Sequence, residues 1–410
     1  MYHTTRQQIK TYDIHPTSIK QIQKGHPWIT VDKFSENFHP KERFIVASNR
    51  KRPFALLLHD PTHKFVRARV WATDGNFQKQ MKSFKNDLAK RIRVAINKRA
   101  KAPYKKERNH YYLIFAESDQ IPGVNVHFLN GEILIQFYMD FWNQYQDYFI
   151  QTLLKSINEN FNLDLTYENI WIQKRSLAKE PAKCLDPNAS FKHITINEFG
   201  VDYKVTLGKF YDHGIYTDMA SIRKKMEKQL KASESLLNLY SYTGAFSLYA
   251  LQLGLKKVTS VDLSETYLNW LEENINLNTV LEKDNHESKM TSTLEALNEL
   301  KDKKEKYDFI ISDPPSSSSD GNKRSNALQD YKETLPLMEQ VLSEKGQILA
   351  FINTHKCSMR KFEDKLKRII ESKKLNLKIV NKYYLSEDCP YKKGFPEGSY
   401  LKGLLLKRND

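Results

Sequence analysis

Residues 235–277 read SLLNLYSYTGAFSLYALQLGLKKVTSVDLSETYLNWLEENINL, and no other stretch narrows the choice of fold so far. The apolar run 236–240 predicts a strand buried on both faces, as in parallel sheets. A turn follows at Tyr242-Thr243-Gly244. Phe246, Tyr249, Ala250 and Leu253 then recur at helical spacing, and Gly254 stops the helix. A second strand, 258–261, delivers Asp262, eighteen positions after Gly244. Strand, glycine turn, helix, strand and acid form the unit of a doubly wound α/β fold. Such folds take their ligand at the carboxyl ends of the strands, with the acid on ribose hydroxyls. The plainer meaning of the same residues is a capping glycine and a solvated aspartate.

The turn carries one glycine where the dinucleotide fingerprint carries three. The extra glycines let backbone and helix N-terminus crowd a pyrophosphate. An adenosine ligand without phosphates does not need them, and S-adenosylmethionine (SAM) is such a ligand. Tyr242, Thr243, Gly244, Phe246, Asp262, Leu263 and Ser264 are therefore candidate cofactor-binding residues, with Tyr216 and Asp218 upstream.

After Asp262 the alternation of strand and helix continues. Strand 307–312 ends in Asp313-Pro314-Pro315, strand 347–352 ends at Asn353, and strands 378–385 and 399–407 follow. Two consecutive prolines remove two donors and fix φ, so the loop after 312 is stiff. It can hold a flat base beside a methyl donor, with Asp313 accepting from base N–H groups. Methyl transfer is an in-line displacement that depends on such alignment, and it requires no metal. Methyltransferases take their base out of the stack; Tyr331 and Tyr216 could stack on it, and either could equally be core. Asp313, Pro314, Pro315 and Asn353 are the candidate catalytic residues.

Upstream, short extended runs at 44–48, 54–59 and 65–72 predict a small barrel or sandwich. Residues 77–101 predict one amphipathic helix, with Phe77, Met81, Phe84, Leu88, Ile92, Ala95 and Ile96 on one side and Lys82, Lys85, Lys90, Arg91, Arg93, Lys98 and Arg99 on the other. Such a face is usually just solvated, but a single sign beside a basic barrel suits an RNA track. Strands at 111–115, 124–128 and 132–138 and a helix at 141–159 come next. The polar, turn-rich segment 165–190 predicts a linker, and a hairpin (192–197, 202–207) precedes a basic helix through Arg223.

Charge divides unevenly along the 410 residues. Residues 1–110 hold 25 Lys and Arg against 8 Asp and Glu, a balance of +17; the rest hold 40 against 41, a balance of −1. A basic front on a neutral body suits phosphate contacts with nucleic acid; a merely soluble basic face is the bland alternative. Lys24, Arg67 and Arg69 are candidate substrate-binding residues. No apolar run approaches the roughly 20 residues of a membrane span, and the polar stretch from Tyr2 to Lys10 gives no expectation of a signal peptide. Three scattered cysteines, Cys184, Cys357 and Cys389, fit a reducing cytoplasm and offer no zinc spacing. Carbon-5 methylation of a pyrimidine needs a thiolate. The strand placed to present one ends on Asn353, and Cys357 lies four residues on.

Taken together, Lys24-Gly25-His26-Pro27-Trp28, Arg67-Ala68-Arg69-Val70-Trp71, Glu117-Ser118-Asp119 with Ile121-Pro122-Gly123, residues 238–244, Asp262-Leu263-Ser264, Asp313-Pro314-Pro315 and residues 395–403 resemble the bacterial SAM-dependent 23S rRNA large-subunit methyltransferases that carry an N-terminal PUA domain. The resemblance implies an α/β protein of three parts: a PUA-like β-barrel (1–75), a mixed α/β middle domain (76–190) and a class I, Rossmann-like methyltransferase domain (191–410). It implies SAM as cofactor, 23S rRNA as partner, no membrane, and room for a homodimer. The chain also departs from that family. Cytosine-5 members have a cysteine where Asn353 stands. The family's Asp-Gln-Arg is Asp218-Met219-Ala220 here, with Arg223 as a substitute for a later arginine. Thr291 or Ser292 stands where an acid would meet the adenine amine. Tyr211-Asp212-His213-Gly214 and the serines after Pro315 look closer to the related guanine-N7 enzymes. Three readings follow: a ring-nitrogen rRNA methyltransferase, a cytosine-5 enzyme working through Cys357, and a non-catalytic RNA-binding assembly protein.

Overall fold

The computed structural model describes residues 10–175, 179–315, 318–319, 324–325 and 327–409. Ser316 and Ser317, half of the serine run after Pro315 that was compared with the guanine-N7 enzymes, lie outside the described residues. Among the described residues, no helix is long and apolar enough to cross a membrane.

The predicted α/β unit is the centre of a seven-stranded sheet. Across the sheet the strands run His286–Met290, Lys257–Asp262, Ser235–Leu239, Tyr307–Ser312, Leu342–Asn353, Leu401–Arg408, Leu377–Tyr383. The first five are parallel, and the last two add antiparallel. From Ser235–Leu239 the chain winds outward one way, then crosses back to Tyr307–Ser312 on the other side. That reversal opens a crevice at the strands' carboxyl ends.

Alternating side chains sort onto the two faces. Leu236, Phe309, Ile311 and Leu349 join a core with the Ala245–Gln252 and Glu265–Leu277 helices. Leu237, Ile310, Ile348 and Ala350 join another with the Thr293–Asp302, Ala327–Gln340 and Met359–Ser372 helices. Burial on both faces explains why these strands read as continuous apolar runs.

A second five-stranded sheet runs Lys183–Cys184, Ile170–Lys174, Glu132–Phe137, Val124–Leu129, His110–Phe115. The Phe84–Ala100 and Gln146–Phe161 helices share its core. The segment predicted as a linker supplies two of these strands. Ile170 and Trp171 are fully buried, and three apolar residues outweighed the polar composition around them. The single helix predicted over 77–101 is broken at Ser83 into Phe77–Lys82 and Phe84–Ala100. Ser83 caps the first helix and begins the second, which lets Phe77 and Phe84 both point inward.

The N-terminal strands form a third sheet in the order Thr11–Asp13, Phe44–Asn49, Arg52–His59, Val66–Ala72, Trp28–Thr30. The two outermost strands do not pair with each other, so no closed barrel forms among the described residues. A Pro16–Gln23 helix lies within it, unforeseen from sequence.

Buried ion pairs join the sheets. Arg69 meets Glu117 at 2.9 Å, Arg99 meets Asp119 at 2.5 Å, Arg108 meets Asp388 at 2.7 Å, and Arg223 meets Glu198 at 2.5 Å. The Glu117-Ser118-Asp119 segment is thus a joint, with its two carboxylates tying the N-terminal strands and the long basic helix to the middle sheet.

Candidate functional site

The crevice is built on a strained turn. Tyr240 and Tyr242 hold positive φ values of 59° and 51°, and Gly244 follows at 82°. Left-handed backbone is costly for a tyrosine and persists only where neighbours hold it. Here the Tyr242 backbone N–H donates to Asp262 Oδ2 at 2.9 Å, and Thr243 Oγ1 donates to the Gly214 carbonyl at 2.5 Å. In return Gly214 N–H donates to the Tyr242 hydroxyl at 3.1 Å. The loop before Tyr216 is thereby fastened over the strand ends. Gly244 is needed for an internal reason: besides its φ, a Cβ there would overlap Leu271 of the following helix. Its close approach is to its own chain, where the sequence reading had it meeting a ligand.

Asp262 ends its strand half-buried. Its carboxylate accepts from Tyr242 N–H and from Ser264 N–H at 3.0 Å, which leaves lone pairs on both oxygens. Ser264 caps the Glu265–Leu277 helix through Tyr267 N–H. Leu263 beside it is 63% exposed, unusual for a large apolar side chain at the end of a central strand. Tyr216 is 42% exposed, with its ring 5.1 Å from Tyr242, which lies 4.6 Å from Tyr267. Asp218 is buried and its carboxylate accepts from the Tyr400 hydroxyl at 2.6 Å. Burial also pushes the Asp313 carboxyl up to about 7, with Asp218 nearby adding to it. Neither aspartate meets a cation among the described residues. Ser241 and Ser312, buried at the ends of the two central strands, have hydroxyls without a hydrogen-bond partner among the described residues.

These features suit a cationic nucleoside ligand. Asp262 has acceptors free for hydroxyls, Leu263 and Tyr216 offer flat apolar surface, buried Asp218 and half-buried Asp313 form no ion pair among the described residues, and two hydroxyls lack partners there. SAM, with its sulfonium and adenosine, matches that set.

A profile of S-adenosylmethionine-dependent methyltransferases matches residues 121–382. The chain belongs to that family. The large-subunit ribosomal RNA methyltransferase I of Aliivibrio fischeri is 27% identical over 412 residues, covering 95% of this chain and 96% of that protein. Its Vibrio vulnificus counterpart is 28% identical with the same coverage. Among solved structures, SMU.776 complexed with SAH superposes with a TM-score of 0.83 at 20% identity, over 97% of this chain and 100% of that one. At that identity it shows the shared class I fold.

Other residues of the methyltransferase fall differently from the sequence reading. Thr243 is fully buried and spends its hydroxyl on Gly214. Phe246 is 6% exposed and packs in the core, 6.0 Å from Phe351. Neither faces a ligand. Tyr331 has no exposed surface, and its hydroxyl donates to the carbonyls of Ser312 (2.9 Å) and Phe351 (2.8 Å). It braces the two strand ends from inside and cannot stack on a base. Arg69 is buried against Glu117, and half-buried Arg67 donates to the Pro61 carbonyl; only Lys24 of the three candidate phosphate contacts is exposed. Arg223 is locked to Glu198 and donates to the Tyr216 carbonyl at 3.2 Å, so it fixes the loop backbone. Asp313 is half-buried, Pro314 buried, Pro315 exposed, and Asn353 exposed at its strand end. Cys357 is 2% exposed within an apolar cluster, where burial raises its thiol pKa.

Tyr400 and Lys402 stand in the segment 395–403 that carried the resemblance, but neither was given a role in the site. Lys402 is 3% exposed and donates to the carbonyls of Thr354 (2.8 Å) and Tyr400 (3.1 Å), and burial lowers its pKa to about 8. Its signal in the sequence was a lysine set just ahead of the apolar run 404–406 in the terminal strand, Leu401–Arg408.

Proposed function

We propose that this methyltransferase modifies a base of 23S rRNA, with a ring nitrogen of guanine favoured over carbon 5 of cytosine. Support for an rRNA substrate comes from relatives named for that activity that align over 95% of the chain. The preference for nitrogen rests on one observation: the strand beside Asp313 ends on exposed Asn353, and the nearby Cys357 is buried with a raised pKa. The thiolate is the nucleophile that carbon-5 chemistry needs.

When bound, SAM supplies an electrophilic methyl group. Asp262 would take the ribose hydroxyls, Leu263 and Tyr216 would flank the adenosine, and Asp218 and Asp313 would balance the sulfonium charge. Asp313, on the stiff Pro314-Pro315 loop, would also accept from the base edge, and Asn353 would orient it. Lys402 holds the Thr354 carbonyl and so keeps the loop after Asn353 in place. A ring nitrogen attacks with its own lone pair, so positioning is the main task of these residues. In this reading residues 1–75 are a PUA-like RNA-binding part, 76–190 a middle domain and 191–410 the catalytic domain.

Tritium transfer from labelled SAM to rRNA, followed by mass mapping of the product, tests the proposal. The expected result is one methylated purine and a Cys357→Ala variant within about twofold of wild type. A 5-methylcytosine product lost in Cys357→Ala would overturn the nitrogen assignment, and absence of transfer to any RNA would overturn the substrate.

A further inference from the structure

The cations that the sequence reading assigned to RNA are largely spent. Arg69 is paired, Arg67 is on a carbonyl, and Arg91 is 2.9 Å from Asp87. Part of the basic helical segment remains unspent, Arg91 and Arg99 aside. Residues 77–101 contain Lys79, Lys82, Lys85, Lys90, Arg91, Arg93, Lys98, Arg99 and Lys101 against the single acid Asp87. Lys79 and Lys82 are exposed, and neither has a carboxylate partner among the described residues.

These two lysines line a cavity of about 430 Å³ at the elbow where the helix breaks, together with Asn76, Ser83 and Asn86. Ser83 is also in the wall of a second cavity, of about 570 Å³, between the N-terminal sheet and the middle sheet. The two share that one wall residue. Each is of the size that holds a small ligand, about 300–1,000 Å³.

The second cavity is lined by Arg91 and Lys392 and by Asp74, Asp87 and Glu117, of which Asp87 is paired with Arg91 and Glu117 with Arg69. Lys392 lines it half-buried, with no partner among the described residues, and burial lowers its pKa. Arg91 lies against the Trp71 ring, 3.5 Å from its centroid, and bases stack well on guanidinium planes held in this way. At its far side the cavity is lined by His26 and Pro27. The next residue, Trp28, has its ring 6.4 Å from His355, two residues beyond Asn353. The elbow and the second cavity thus share a wall at Ser83, and Trp28 packs between His26 on that cavity's rim and His355.

We propose that a single strand of the RNA substrate runs through the groove made by these two cavities, with phosphates on Lys79, Lys82 and Lys392 and a base over Arg91. This rests on the RNA reading above. Single-stranded RNA is favoured because the groove combines a stacking surface with lysines inside a cleft. A duplex would present only its outer phosphates to such a cleft.

The test uses a short fluorescein-labelled single-stranded RNA, the full-length protein and anisotropy titrations across a range of KCl. Each phosphate contact contributes a slope of about −0.7 in log affinity against log salt. The Lys79→Gln/Lys82→Gln/Lys392→Gln variant should therefore lose about 2 units of slope, while SAM binding by calorimetry stays unchanged. A Lys373→Gln/Lys374→Gln control, at exposed positions just after the Met359–Ser372 helix and in neither cavity wall, should keep the wild-type slope. Lys79→Gln/Lys82→Gln, confined to exposed positions, gives an independent reading if the triple variant folds poorly, and should lose about 1.4 units. Wild-type slopes in both groove variants, or the same loss in the control, overturn the groove. Equal binding of duplex RNA would also overturn it. A wild-type protein that binds no RNA of either kind would instead overturn the substrate reading.

Discussion

The carboxyl group of Asp313 should make SAM binding depend on pH in a way that one substitution abolishes. Its pKa is displaced upward from 3.8 to about 7, by burial first and by Asp218 second. For an acid the sign is clear. Between those values the folded, ligand-free protein keeps a proton that the unfolded chain has released, so stability falls as pH rises through that window. A cation placed beside the carboxylate favours its ionised form, so binding of the sulfonium should release the proton. Affinity then falls by a factor of one plus ten to the power of 7 minus pH, which is about 2 at pH 7 and about 11 at pH 6 relative to the alkaline limit. From pH 8 to pH 6 the dissociation constant should rise about tenfold. Isothermal titration calorimetry at constant ionic strength measures it. Asp313→Asn should bind more weakly at pH 8 and lose this rise. The groups on SAM titrate alike against both proteins, so the difference between the two slopes belongs to Asp313. Asp218→Asn should move the wild-type midpoint to lower pH, because it removes the second cause of the shift. Equal slopes for wild type and Asp313→Asn would refute the placement of this carboxylate beside the bound sulfonium.

Two predictions concern the frame that holds the site. Gly244→Ala forces a Cβ onto a residue at φ 82° and into the Leu271 side chain, 2.6 Å from its Cδ1. Thermal unfolding should show a loss of about 2–4 kcal/mol, with part recovered by Leu271→Ala, and a loss under about 0.5 kcal/mol would contradict the packing argument. Arg108→Ala leaves the Asp388 carboxylate, 1% exposed, without its ion-pair partner and, among the described residues, with the Tyr112 N–H at 2.7 Å as its remaining hydrogen bond. Urea unfolding should report a loss of about 3–5 kcal/mol, and a stability equal to wild type would mean the pair is not buried in solution.

The sequence by itself determined the catalytic frame. A run such as Leu236 to Leu239 has nowhere to go but the middle of a sheet, and the glycine turn, Asp262 and Asp313-Pro314-Pro315 sit at fixed offsets from strands whose period is local. Local order also placed most helices and strands, because each is set by side chains a few residues apart. Local polarity misled at 165–190, where Ile170, Trp171 and Ile172 complete a sheet whose other strands lie 30 to 60 residues earlier, a demand no short window contains. The same limit explains the site. Whether an arginine is free for phosphate depends on carboxylates far along the chain: Arg69 is neutralised by Glu117, 48 residues away, and Arg223 by Glu198. Asp218 and Tyr400 meet across 182 residues. Residue type set which groups could do chemistry. Only the tertiary structure decided which of them were already spent on holding the molecule together, because pairing in a buried medium is settled by distance in space, and the sequence records distance along the chain.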